Sequence, residues 1–192
     1  RTALADLSLL EREWGPVIGL AEDDELLFGG LVGETADVVF YTHQGQLLRL
    51  DAVEINPQKT DTASGVIGIS VKTGDWVLGG AVLPKAVGEV EEAEGGWQVV
   101  VVSETGYANR VPLTDFSVQG RNTQGVQCLR ETKSGGKVGD VTVGKAGDAL
   151  DVYLEDGRRF HADDIMTVKS LTRGSRGNRL FDAGDAQVVR AV

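Results

Sequence analysis

An all-β fold assembled from repeated small sheets is predicted by three features of this 192-residue sequence. Glycine is abundant at 26 residues while proline is scarce at 4, so the chain turns often without the composition of a linker or a collagen. The apolar residues fall in short β-rich runs punctuated by turn residues. One pattern, a β run, a glycine-bearing turn and a second β run, occurs three times, and recurrence at a period of some tens of residues is the mark of a repeat architecture.

The hairpin is the first element of each unit. Val38-Val39-Phe40-Tyr41 leads through Gly45 to Leu47-Leu48, Val99-Val100-Val101-Val102 through Gly106 to Val111, and Val152-Tyr153-Leu154 through Gly157 to Phe160. The turn glycines are therefore 61 and 51 residues apart. An acidic-apolar pair follows each hairpin: Glu54-Ile55, Asp115-Phe116 and Asp164-Ile165. A polar loop then ends on a glycine that opens a further strand: Gly65-Val66-Ile67-Gly68-Ile69, Gly125-Val126-Gln127-Cys128-Leu129 and Gly177-Asn178-Arg179-Leu180-Phe181. A fourth strand closes the unit, entered through Gly74-Asp75 and Gly184-Asp185 and best seen at Trp76–Val82.

Upstream, Leu4-Ala5-Asp6-Leu7 matches Leu113-Thr114-Asp115-Phe116, and Leu27-Phe28-Gly29-Gly30 matches Val77-Leu78-Gly79-Gly80, so a partial unit precedes the three full ones. The expected organisation is one domain, 1–192, of about four four-stranded blades: a partial blade at 1–36 and full blades at 37–95, 96–147 and 148–192. Helix is expected only as a short turn or two within Ala3–Trp14, and the acidic run Glu89–Glu94 reads as a solvated linker between blades.

Composition narrows the chemistry. No stretch approaches the ~18 apolar residues of a membrane helix, and the first residues lack a signal-peptide pattern, so a cytoplasmic location is expected. Cys128 is the single cysteine and, with His43 and His161 the only histidines, no zinc set can be assembled. Met166 is the only methionine, which suggests that residue 1 lies inside a longer protein. Asp23-Asp24-Glu25 and Asp163-Asp164 lack the alternating oxygens of a calcium loop. Gly29-Gly30, Gly79-Gly80 and Gly135-Gly136 open no predicted helix and read as bends or turns rather than phosphate cradles. Trp14, Trp76 and Trp97 are expected to pack between blades and Cys128 to fill a core.

One stretch carries a specific resemblance. Ser103-Glu104-Thr105-Gly106-Tyr107-Ala108-Asn109-Arg110-Val111-Pro112-Leu113-Thr114-Asp115-Phe116, followed by Gln119-Gly120-Arg121-Asn122-Thr123-Gln124-Gly125-Val126, resembles a blade of the carboxy-terminal domain of the A subunit of bacterial DNA gyrase and topoisomerase IV. Weaker copies at Lys59–Val66 and Leu171–Gly177 extend the likeness along the chain. The resemblance implies a β-pinwheel, propeller-like with strands exchanged between neighbouring blades. It also implies a DNA-binding, non-catalytic role: bending and wrapping duplex DNA along a basic rim to aid supercoiling and other changes of topology. The family's catalytic tyrosine lies in a region this sequence does not contain, so Tyr41, Tyr107 and Tyr153 read as packing or rim residues.

No cofactor is expected in this domain, since ATP and Mg serve other parts of the holoenzyme. The implied partners are double-stranded DNA, the B subunit, plus the remainder of the A subunit, with no membrane, in a nucleoid-associated assembly of two A and two B subunits. Gyrase A subunits carry a heptapeptide box, Gln-Arg-Arg-Gly-Gly-Arg/Lys-Gly, of which Gln119–Gly125 keeps Gln119, Arg121 and Gly125. Either the intact box lies elsewhere or the chain is nearer to topoisomerase IV.

An anionic chain must hold DNA with local charge. The formal net charge is −10, yet residues 1–96 carry 6 basic and 17 acidic side chains against 13 and 12 in residues 97–192. Cations recurring in register would form a track along one rim. The expected DNA-binding residues are Arg49 and Arg110, which follow the hairpin glycines, with Arg159 as their displaced counterpart, and Lys59, Arg121 and Arg173 in the polar loops. Arg176, Arg179, Arg130, Lys133 and Lys137 add density, as does Lys145. The competing expectation is an acidic, propeller-like interaction or regulatory module that binds no DNA directly.

Overall fold

The three hairpins form as the repeat predicts. The computed structural model describes residues 1, 18–33, 35–58, 65–84 and 96–192, so the expectations placed on Ala3–Trp14, Lys59 and Glu89–Glu94 lie outside the described residues. Strands β1 (Ala36–Thr42) and β2 (Gln46–Asp51) pair antiparallel, as do β4 (Gln98–Ser103) with β5 (Tyr107–Pro112) and β8 (Leu150–Leu154) with β9 (Arg159–Ala162). A later strand flanks each hairpin on its first-strand side: β3 (Val77–Pro84) on β1, β7 (Val138–Gly144) on β4 and β11 (Val188–Ala191) on β8.

The fourth strand comes from the following repeat. β6 (Val126–Gln127) pairs with β2, matching Leu47 to Val126, and β10 (Asn178–Arg179) pairs with β5, matching Ala108 to Asn178. The sheet orders are therefore β3-β1-β2-β6, β10-β5-β4-β7 and β11-β8-β9. The third sheet has three strands among the described residues where four were expected, because the fourth position is filled from the next repeat in the other two.

Alternation along the middle strand explains how the sheets stack. Every residue of β4 is buried, and its faces serve two different cores. Val99 and Val101 join Val39, Tyr41, Leu47 and Leu83 of the first sheet, while Val100 and Val102 join Leu150, Val152, Val188 and Ala191 of the third. Phe116 and Leu129 are also fully buried in the first of these cores. Each such side chain contributes about 1.5–3 kcal/mol. Stability thus resides between sheets, as in other nearest-neighbour repeats.

After each hairpin the chain makes a 3-10 turn, at Ala52–Glu54, Leu113–Asp115 and Ile165–Thr167. Asp51 and Asp164 cap the first and last by accepting from Val53 N and Met166 N. The acidic-apolar pair predicted at Asp164-Ile165 is displaced in register. Val168 closes the third turn as Ile55 and Phe116 close the others, and Asp164 is its cap.

Candidate nucleic-acid interface

The recurrence of Arg49 and Arg110 has a structural cause. Each stands four residues after its turn glycine and reaches across to the 3-10 turn of the next blade. Arg49 Nε donates to Asp37 Oδ2 at 2.7 Å, and Nη1 donates to the carbonyls of Leu113 and Phe116 at 3.2 and 3.3 Å. Arg110 Nε donates to the Val168 carbonyl at 3.0 Å and Nη1 to Gln98 Oε1 at 2.8 Å. Asp37 and Gln98 occupy the same place, eight residues before the turn glycine. The third residue in this register is His161 rather than Arg159, and it bonds Asp151 at 2.7 Å and Asp163 at 3.1 Å. Both carboxylates favour the imidazolium and raise the His161 pKa, while His161 and then Arg159 lower that of Asp151.

The polar loops are ordered by the strand exchange that follows them. Gly125 and Gly177 both adopt positive φ, at 70° and 77°, and pass against the preceding hairpin, where an added Cβ would press into the Leu47 and Ala108 carbonyls respectively. Cys128 N then donates to the Gly45 carbonyl at 2.8 Å, and Leu180 N to that of Gly106 at 2.9 Å. Cys128 is buried as expected, which pushes its thiol pKa up to about 12.

This path lays loops of successive blades side by side. At the first junction Asn122 N donates to the Gly68 carbonyl and Ser70 N to that of Thr123, and the exposed Arg121 donates to the Ile67 carbonyl. Thr123 Oγ1 donates to Gln119 Oε1, holding the same loop. At the second junction Gly174 N donates to the Cys128 carbonyl and Arg130 N to that of Ser175. The exposed cations Arg130, Lys133, Arg176 and Arg179 all sit on these two neighbouring segments. Arg179 lies 5.8 Å over the Tyr107 ring and pairs with exposed Asp182. Arg173 donates to the Asp115 carbonyl and lies 5.8 Å over Phe116. Lys137 is half-buried, and its backbone N donates to Glu104 Oε2.

The loops correspond in register, Arg121 to Arg173, Asn122 to Gly174 and Gly125 to Gly177, as their strand pairings and backbone angles show. The segment Leu171–Gly177 keeps Arg173, Gly174, Arg176 and Gly177 of the heptapeptide box, against Gln119, Arg121 and Gly125 one blade earlier. The fourth and seventh positions have positive φ in both loops, with Asn122 at 62° the only non-glycine residue so placed among those described. Asn tolerates this region better than other side chains.

Further side chains tie the blades together, most of them in contacts that sequence reasoning missed. His43 Nε2 meets Glu104 at 2.8 Å and stacks on Trp76 at 4.0 Å between centroids, so Trp76 is half exposed beside a histidine rather than buried between blades. Trp97 packs against the core of the first two blades and carries Lys145 over its ring at 4.7 Å. Asp140 joins all three sheets: it accepts from the Tyr41 hydroxyl at 2.9 Å, from Val141 N and from Ala191 N at 2.7 Å. Burial raises its pKa and, more strongly, that of Tyr41.

The sequence pattern of the family described as "DNA gyrase C-terminal domain, beta-propeller" matches residues 36–84 and 98–143, the first two hairpins with their flanking strands. The chain belongs to this family. Among curated relatives, the DNA gyrase A subunit of Staphylococcus aureus (strain MRSA252) is 29% identical over the whole of this chain, and that of Staphylococcus epidermidis (strain ATCC 12228 / FDA PCI 1200) is 28% identical. The chain spans 20% of the length of each. The fold is also that of a solved C-terminal domain of DNA topoisomerase IV, with a TM-score of 0.80 at 22% identity, covering 92% of this chain and 52% of that one. A DNA gyrase A C-terminal domain gives 0.76 at 20% identity, covering 91% and 56%. As a member of this family, the chain is an all-β pinwheel, and among its described residues no helix is long and apolar enough to cross a membrane.

Proposed function

We propose that this domain binds duplex DNA and bends it along the rim formed by its inter-blade loops, as a non-catalytic part of a type IIA topoisomerase. The single observation that carries the reading is the meeting of Arg130, Lys133, Arg176 and Arg179 on adjacent loops of successive blades. Such cations neutralise phosphates and release counterions without reading bases. Arg121 and Arg173, exposed in the same register, extend the set to the neighbouring loops. Arg49 and Arg110 are partly buried and each bonds at least two protein acceptors through its guanidinium, so they are left out of it.

The partners in this reading are duplex DNA, the B subunit, plus the rest of the A subunit. The domain needs no cofactor of its own, ATP and Mg being used elsewhere in the holoenzyme. Its place beside the nucleoid follows from the same role. A second reading, an acidic interaction module, draws on the 17 acidic side chains of residues 1–96. Electrophoretic mobility shift of a duplex at low salt separates the two. The DNA reading expects a shift that Lys133→Glu with Arg176→Glu weakens by at least about tenfold, since each lost phosphate contact also adds a repelling charge. An unchanged shift, or none in the parent protein, favours the acidic module.

A further inference from the structure

Two arginines in one register hold their blades with unequal partners. Arg49 is held by the buried carboxylate of Asp37, with Nη2 at 2.5 Å and Nε at 2.7 Å, and by two carbonyls of the following 3-10 turn. Arg110, at the next junction, has the neutral amide of Gln98 in place of the carboxylate and one carbonyl, that of Val168. Both bonds have an ionised donor, but only Asp37 adds the attraction of an opposite charge, and its Oδ2 takes two guanidinium nitrogens at once, which also fixes orientation. The buried side chains of the core shared by the first two blades include Phe116, Leu129, Leu83 and Tyr41, whereas those of the core shared by the last two are valine, alanine, Leu150 and Ile165, with Phe160, Leu180 and Phe181 only partly buried against them.

We propose that Arg49 and Arg110 are positioning residues that set the angle between successive blades, and that the neutral Gln98 clamp makes the second junction the more compliant. This rests on the DNA reading above, because the second junction is also where the cations gather. A duplex lying across it is bent by the amount this joint allows. Neither arginine touches DNA.

The test uses the full chain with spin labels at Ser117→Cys and Asp185→Cys, both exposed and on either side of the junction, while Cys128 is buried and does not label. Arg110→Lys keeps the charge but, with a single terminal nitrogen, cannot span Gln98 and Val168 as the guanidinium does. It should broaden the label distance distribution and reduce the bend of an end-labelled duplex of about 30 base pairs. Affinity for a short duplex should stay within about twofold. Gln98→Asp should narrow the distribution and make the bend more uniform. A distribution unchanged in both variants overturns the proposal. So does a loss of short-duplex affinity on Arg110→Lys as large as that caused by Lys133→Glu, which would make Arg110 a contact. If the parent protein binds no duplex yet the label distances respond as stated, the DNA reading falls and the clamps stand as inter-blade devices.

Discussion

At the scale of single residues, equivalent positions test how much of a side chain's role comes from its neighbours. Gly65 and Gly125 share a left-handed backbone, φ 80° and 70°, but no described residue lies within 4 Å of a Cβ on Gly65, whereas one on Gly125 meets the Leu47 carbonyl. Gly65→Ala should cost about 1–2 kcal/mol for backbone strain alone, and Gly125→Ala several kcal/mol more as the exchanged strand is displaced. Urea unfolding of the two variants checks the order, and equal losses would contradict it. His161 gives a pH test. Its folded pKa is raised, so its contribution is present below the unfolded histidine value and disappears as pH rises through the folded one. That of Asp151, whose pKa is lowered, disappears on acidification instead. The imidazole resonances of His161 should therefore titrate above the ordinary histidine midpoint, and Asp151→Asn should bring the midpoint down. A midpoint that ignores Asp151 would remove this pair from the account.

At the scale of elements, the hairpins were legible because a β run, a glycine turn and a second β run form a local pattern. The exchanged strands were only half legible. Val126–Gln127 and Asn178–Arg179 are two residues each, too short to carry a period, and their partners lie in the preceding repeat. Recurrent arginine was visible at 49 and 110, but recurrence fits a rim cation and an inter-blade clamp equally well. The distinguishing signal was the polar partner, Asp37 or Gln98, twelve residues earlier on the facing strand. The loop cations are legible as a group, but their meeting depends on Gly174 and Arg130 bonding across blades. The exchange also makes a prediction. With its thiol buried and raised to about 12, Cys128 should resist alkylation in the native protein. Labelling should begin only when urea releases the strand from the Gly45 edge. Rapid native labelling would mean that the strand is not held there.

At the scale of the whole molecule, a net charge of −10 and a DNA-binding role are compatible only if the charges are segregated. The architecture provides the means. A loop displaced by one blade repeats the same contacts on its neighbour, so cations in register become neighbours, while carboxylates such as Glu104 and Asp140 are consumed by inter-blade bonds and Asp37 by Arg49 of its own hairpin. The half-to-half charge asymmetry was readable in the sequence, but which cations stay available was not, because that depends on acceptors contributed by other blades. Salt dependence of duplex affinity tests the central claim most directly. Phosphate contacts by about four to six cations predict log K falling with log salt at a slope near −4 to −5, alike for unrelated sequences, and shallower by about 2 in Lys133→Glu with Arg176→Glu. A slope near zero, or one that the double substitution leaves intact, would contradict it.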